Sequence, residues 1–188
     1  MGYTLPLRTL ASLTIVLSLI VPPDLSRAGP LPLRETPAPQ TTAGVPHVQI
    51  GVTPAPEIRE ALLRRVANLP NLELRPTVVS LPGATGFWLT NELELKRPDV
   101  IVAGREFAHL HPDGSLHASL PPRRAVEAVA AGWAVRHPWA ERRPGWEGFV
   151  MLFTPQTRQE ADTVFQLIVD GYNFVTGQSL RAGDIAGG

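Results

Sequence analysis

The sequence predicts an α+β fold, a mainly antiparallel sheet with flanking helices. Three observations predict it. Apolar residues recur at helical spacing in three separated stretches. Between them lie short runs rich in Val, Phe and Thr, arranged without the regularity of βαβ units. A Pro112-Asp113-Gly114 turn joins two alternating segments, the signature of a hairpin.

Composition sets the outer limits. The chain has 188 residues, 44% hydrophobic and 18% charged, enough for one packed domain plus extensions. Lys+Arg and Asp+Glu are 17 each, so no global basic field exists to hold nucleic acid. There are no cysteines, which excludes disulfides, thiolate metal sites and Cys nucleophiles.

Residues 1–28 read as a signal peptide or N-terminal anchor. Arg8 precedes a 13-residue apolar run, Thr9 to Val21, and Ser26-Arg27-Ala28 offers small residues to a signal peptidase. Thirteen is short for a spanning helix, which needs about 20. Export is therefore expected, periplasmic or extracellular, with anchoring by the uncleaved segment as the alternative and the only membrane contact. Seven prolines punctuate residues 22–46, so 29–46 reads as an extended linker with few contacts to the domain. The folded domain is expected over 47–177 and a flexible tail over 178–188.

The elements follow in order. Pro56–Asn68 reads as a helix with Ile58, Leu62, Val66 and Leu69 on one stripe. Leu72–Arg75, Thr77–Leu81, Gly86–Thr90 and Asp99–Ala103 read as strands. Glu106–His111 leads into the hairpin. Pro122–Ala131 reads as a helix with Pro near its start, ended by Gly132. Phe149–Phe153 is an apolar strand. The last helix opens on Thr157-Arg-Gln-Glu160, a capping box, and closes at Gly177.

The hairpin is the informative stretch. A three-residue Pro-Asp-Gly loop pairs His111 with Ser115, Leu110 with Leu116 and His109 with His117. Alternation then places Phe107, His109, His111, Ser115, His117 and Ser119 on one face. Ala108, Leu110, Leu116, Ala118 and Leu120 lie on the other, which must be core. Three uses of the histidine face stand open: a half-solvated sheet face, a metal site of His-x-His plus a third His, or acid–base chemistry by clustered imidazoles. His137 follows Trp133 and Arg136. Arg136 and His137 could wall an aromatic-lined pocket for a planar anionic ligand, or Trp133 could pack the helix end on the sheet. No Gly-x-Gly-x-x-Gly, P-loop, Gly-x-Ser-x-Gly or His-Glu-x-x-His motif is present.

Taken in order, these motifs resemble a known family. Gly104-Arg-Glu-Phe-Ala-His-Leu-His111, Ser115-Leu-His117, Gly132-Trp133, Arg136-His-Pro138, Thr154-Pro155, Glu160 and the helix ending Asn173-Phe-Val-Thr-Gly177 resemble the fungal luciferase family and its bacterial relatives. The resemblance covers about residues 82–177. It implies a luciferase-like domain, possessing the chemistry of an O2-dependent oxygenase on a small enolisable aromatic or 2-pyrone of the hispidin type. It implies His109, His111, His117 and His137 as catalytic positions, and Arg105, Glu106, Arg136 and Trp133 as substrate-binding positions. It implies O2 as cosubstrate and no cofactor, with a metal held by the histidine cluster as the alternative. The expected partner is a small-molecule ligand, not nucleic acid. The competing reading is a non-catalytic exported small-molecule-binding module of the cell envelope.

Overall fold

A computed structural model describes Met1 and residues 29–186. The expected signal or anchor segment falls outside the described residues. Among the described residues, no helix is long and apolar enough to cross a membrane.

The fold is α+β, as predicted. Strands β1 (Gln40–Thr41) and β2 (Gln49–Ile50) make a small hairpin ahead of the main domain. Helix α1 (Pro56–Val66) follows, then β3 (Leu72–Pro76), β4 (Thr85–Leu89), β5 (Glu106–Leu110) and β6 (Leu116–Ser119). Helix α2 (Pro122–Ala130), β7 (Ala134–Arg136), β8 (Phe149–Leu152) and α3 (Arg158–Thr176) complete the order. Strands β3 to β8 form one antiparallel sheet in the order β3-β4-β5-β6-β8-β7.

One face of this sheet is the hydrophobic core. Leu110, Leu116, Ala118 and Leu120 are fully buried there with Val150 and Leu152. Leu62 and Val66 of α1 and Val164, Phe165, Ile168 and Tyr172 of α3 cover them. Burying each large aliphatic side chain stabilises the fold by about 1.5–3 kcal/mol, so this layer is the main driving force. The α3 cap behaves as expected on one side. Thr157 Oγ1 accepts from the Glu160 amide at 3.1 Å, and Gly177 closes the helix at φ 75°. The reciprocal arm of the box is used elsewhere, because the Glu160 carboxylate accepts from the Gln156 amide and faces Arg34.

Two strand expectations are corrected, and one strand is added. Asp99–Ala103 is not a strand. Pro98 opens a 3-10 turn over Pro98–Val100, where the fixed φ of proline suits the first turn position. Thr77–Leu81 leaves the sheet after Pro76, because Thr77 and Val78 bond the Glu106 side chain instead of a strand. Residues 134–136, unassigned by pattern, form the edge strand β7 against β8.

The largest correction concerns residues 29–46. They are not a tether with few contacts but a strap bound to the domain. Leu31 N–H donates to Glu127 (2.8 Å), and Trp133 Nε1 donates to the Pro32 carbonyl (2.6 Å). The Arg34 amide bonds the Ala131 carbonyl. The Arg34 guanidinium is buried against Glu160 (3.4 Å) and donates to the Thr154 carbonyl (3.1 Å). Prolines keep the strap extended, which frees its carbonyls to accept from the domain.

The buried Arg34–Glu160 pair is testable. Arg34→Ala strips Glu160 of its counter-ion, and equilibrium urea unfolding is expected to show a loss of about 2–4 kcal/mol. An unchanged midpoint would show that the strap rests on the domain without stabilising it.

Candidate functional site

The β5–β6 hairpin has the register that parity demanded. Ala108 pairs with Ala118, His109 with His117 and Leu110 with Leu116. The His111 amide bonds the Ser115 carbonyl at 2.8 Å across a Pro112-Asp113-Gly114 loop, and Gly114 takes the left-handed conformation at φ 84°. His109, His111 and His117 thus share one face, while Leu110, Leu116 and Leu120 are buried on the other.

Strict alternation fails at one place. Trp88 pairs with Glu106 and Phe87 with Ala108, so Phe107 is the extra residue of a β-bulge. The bulge turns Phe107 to the helix side, where it meets Tyr172 edge-on at 6.0 Å. It turns Glu106 to the histidine side, where its carboxylate lies 3.0 Å from His109 Nδ1. Gly86, opposite His109, makes the room: a Cβ there would lie 3.0 Å from the Glu106 carboxyl carbon and 2.6 Å from Trp88 Nε1.

All five histidines of the chain converge. His117 is the hub, with ring centroids 4.6 Å from His137, 4.7 Å from His111, 5.1 Å from His109 and 5.4 Å from His47. His137 arrives from the turn after β7, and His47 from the strap. They line a cavity of about 380 Å³ with Val79, Ser80, Leu81, Trp139 and Phe149, closed on one side by Val45 and Pro46. That volume suits a ligand of one or two rings.

Hydrogen bonds assign the imidazole protons. The Ser115 hydroxyl donates to Asp113 Oδ1 at 2.7 Å, so its oxygen accepts from His111 Nδ1 at 3.0 Å. His111 Nε2 is left as a lone pair. His109 Nδ1 donates to Glu106, and His117 Nδ1 donates to His109 Nε2 at 3.1 Å. His117 Nε2 is then a buried lone pair with no partner. His137 has the opposite polarity. Its Nδ1 accepts the Trp139 amide at 3.0 Å, so Nε2 carries the proton and donates. The cavity therefore holds proton acceptors and a proton donor together.

Burial keeps His47, His111, His117 and His137 neutral. Desolvation, followed by neighbouring imidazoles, lowers His111 to about 4 and His137 to about 3. The same causes hold His117 well below the ordinary value, and burial lowers His47. Glu106 is also lowered. Burial opposes its charge, but hydrogen bonds from His109, Thr77 (2.7 Å) and the Val78 amide (2.9 Å) outweigh that.

The other sequence candidates lie elsewhere. Glu106 does not line the cavity but braces His109 from behind. Arg105 donates to the Leu89 carbonyl (3.0 Å) and the Leu93 carbonyl, tying the loop before β5 to β4. Arg136 sits on the edge strand, exposed, 3.5 Å from Glu141. Trp133 is core, held by the strap. None of these three lines the cavity. His47 was missed, since nothing local distinguishes it. Only the strap's path around the domain brings it in.

The neutral imidazoles set a pH dependence. The unfolded chain takes up protons below about 6.5, while the folded chain excludes them from His111 and His137 down to about 4 and about 3. Unfolding thus binds protons in that window, so stability falls as pH falls from about 6.5 towards 4. Chelator-treated protein should show a constant urea midpoint above pH 7 and a falling one below 6.5, with a shallower fall in His111→Gln. A midpoint flat from pH 7 to 4.5 would mean that the rings are solvated.

Comparison with known proteins agrees with the motif series. Residues 104–169 match the family model described as the luciferase domain, a stretch that runs from the start of the bulged strand through the hairpin into α3. A protein of Armillaria ostoyae named luciferase is 28% identical over 167 residues, covering 78% of this chain. The chain spans 61% of that relative's length. No solved structure matches the chain significantly. On these findings the domain that carries the histidine cluster is luciferase-like over residues 104–169.

Proposed function

We propose that this domain is an O2-dependent oxygenase acting on a small enolisable aromatic or 2-pyrone. The observation that carries the reading is the cavity itself, a ring-sized space lined by rings that carry buried imidazole lone pairs and an imidazole N–H. The luciferase match supports the reaction class. A lone pair of the cluster, at His117 Nε2 or His111 Nε2, takes the enol proton. His137 Nε2–H holds the resulting oxyanion. The electron-rich enolate carbon then adds O2. One carbon–oxygen bond forms, the carbon is oxidised, O2 is reduced to the peroxide level, and the imidazolium returns its proton to the terminal peroxide oxygen. Arg136 takes no part, since it faces solvent.

Export of the domain belongs to the same proposal. Gly29, the residue after the proposed cleavage site, is held on the domain, its carbonyl accepting from Arg124 at 3.1 Å. Cleavage after the Ser26-Arg27-Ala28 motif is proposed from the sequence alone, and intact mass from the native host is expected to start near Gly29. A mass retaining Met1 or Gly2 would mean an anchor.

An oxygen electrode with hydroxypyrones and catechols tests the activity. Uptake is expected, with kcat lowered about 10²–10⁴-fold in His117→Gln and changed less than about twofold in Arg136→Ala. No uptake above the His109→Ala/His117→Ala double variant would sink the oxygenase reading. Ligand binding without uptake would identify a binding module.

A further inference from the structure

We propose that His109, His111 and His117 form a binding site for one divalent first-row transition-metal ion at the inner end of the cavity. The inference stands on the placement of nitrogens and carboxylates, not on the oxygenase reading.

Three observations carry it. First, the three rings each bring a nitrogen within 4.8 Å of the others, all buried. His109 Nε2 and His117 Nδ1 are 3.1 Å apart. Two imidazole nitrogens on one ion at about 2.0–2.1 Å lie roughly 2.9–3.4 Å apart for coordination angles between 90° and tetrahedral. The observed separation therefore suits a shared ion as well as a hydrogen bond. Second, His109 and His111 are braced from behind in the manner of metal ligands. A ligating imidazole donates its other N–H to a carboxylate or similar group, which orients the ring and raises its basicity. His109 Nδ1 faces Glu106, and His111 Nδ1 faces Ser115, itself held by Asp113. Third, the metal-free cluster is incomplete. The Glu106 carboxylate is buried with no Lys or Arg within 4 Å among the described residues, so His109 is its only ionisable partner. A dication beyond His109 would balance that charge.

A second trio, His47, His117 and His137, also clusters. It is the weaker site, because the Trp139 amide occupies His137 Nδ1 and leaves Nε2 protonated. His137 suits a donor to a ligand on the ion, not a ligand of the ion. Three neutral imidazoles favour iron(II), cobalt(II), copper(II) or zinc(II) over magnesium or calcium, which take oxygen donors.

The test uses the full chain after chelator treatment. Cobalt(II) is titrated by its visible ligand-field absorption and zinc(II) by calorimetry, with circular dichroism confirming that each variant is folded. One ion per chain is expected. His111→Ala should weaken binding by on the order of 100-fold, and His137→Ala by less than about threefold. Glu106→Gln should weaken it about 10–100-fold and shift the cobalt absorption, which a merely structural change would not do. Absence of stoichiometric binding to folded wild-type protein, or equal losses in His137→Ala and His111→Ala, would overturn the site. Oxygen uptake by chelator-treated protein separates the proposals. Uptake without metal binding refutes the metal site alone, and metal binding without uptake refutes the oxygenase alone.

Discussion

The contact between Glu106 and His109 is the constraint on which the site depends. A carboxylate that is 3% exposed must be fully hydrogen-bonded to be tolerated, and four separate features supply that. The bulge at Phe107 swings Glu106 across the sheet. Gly86 leaves the space it enters. Thr77 and the Val78 amide donate to it, which draws residues 77–81 off the sheet to wall the cavity. His109 completes the set and is thereby fixed in tautomer and direction. The orientation of one imidazole then sets the tautomer of His117.

The sheet divides the labour between its faces. On the helix side, close-packed aliphatic residues make a rigid floor. On the other side, the same strands hold a polar cluster that a core could not accept. Alternation along β5 and β6 makes both possible from adjacent residues, so Leu110 and His111 serve opposite layers. What would otherwise be a solvated sheet face is closed by the strap, by residues 79–81 and by Trp139. Burial depresses the pKa values of His47, His111, His117 and His137 and keeps their lone pairs available at neutral pH. The strap links stability to the site, because the segment anchored through Arg34 and Trp133 also delivers Val45, Pro46 and His47 to the cavity.

The site's chemistry follows from nitrogen bookkeeping, not from any single residue. Ser115 and Asp113 commit one nitrogen of His111, Glu106 commits one of His109, and the Trp139 amide commits one of His137. The rings that carry the remaining nitrogens line one cavity. Such an arrangement can handle a proton, hold an anion or take a metal ion. The luciferase-domain match over residues 104–169 is the ground on which oxidation of a small molecule is proposed among these.

By itself the sequence determined the α+β class, the three helices and the hairpin register. These rest on local rules: apolar period, caps at Thr157 and Gly177, and a Pro-Asp-Gly turn whose length sets parity. It also placed His109, His111 and His117 on one face, because parity needs no knowledge of distant contacts. Tertiary structure decided the rest. The inward turn of Glu106 depends on a bulge, which breaks the alternation that the reading assumed. The removal of Arg105, Arg136 and Trp133 from the cavity depends on which carbonyls, carboxylates and strap residues stand near them. The role of His47, and of the proline-rich strap, depends on docking between residues about a hundred positions apart. Proline content shows that such a segment is extended, but an extended chain is compatible with solvent and with a surface, and only the surface it meets decides which.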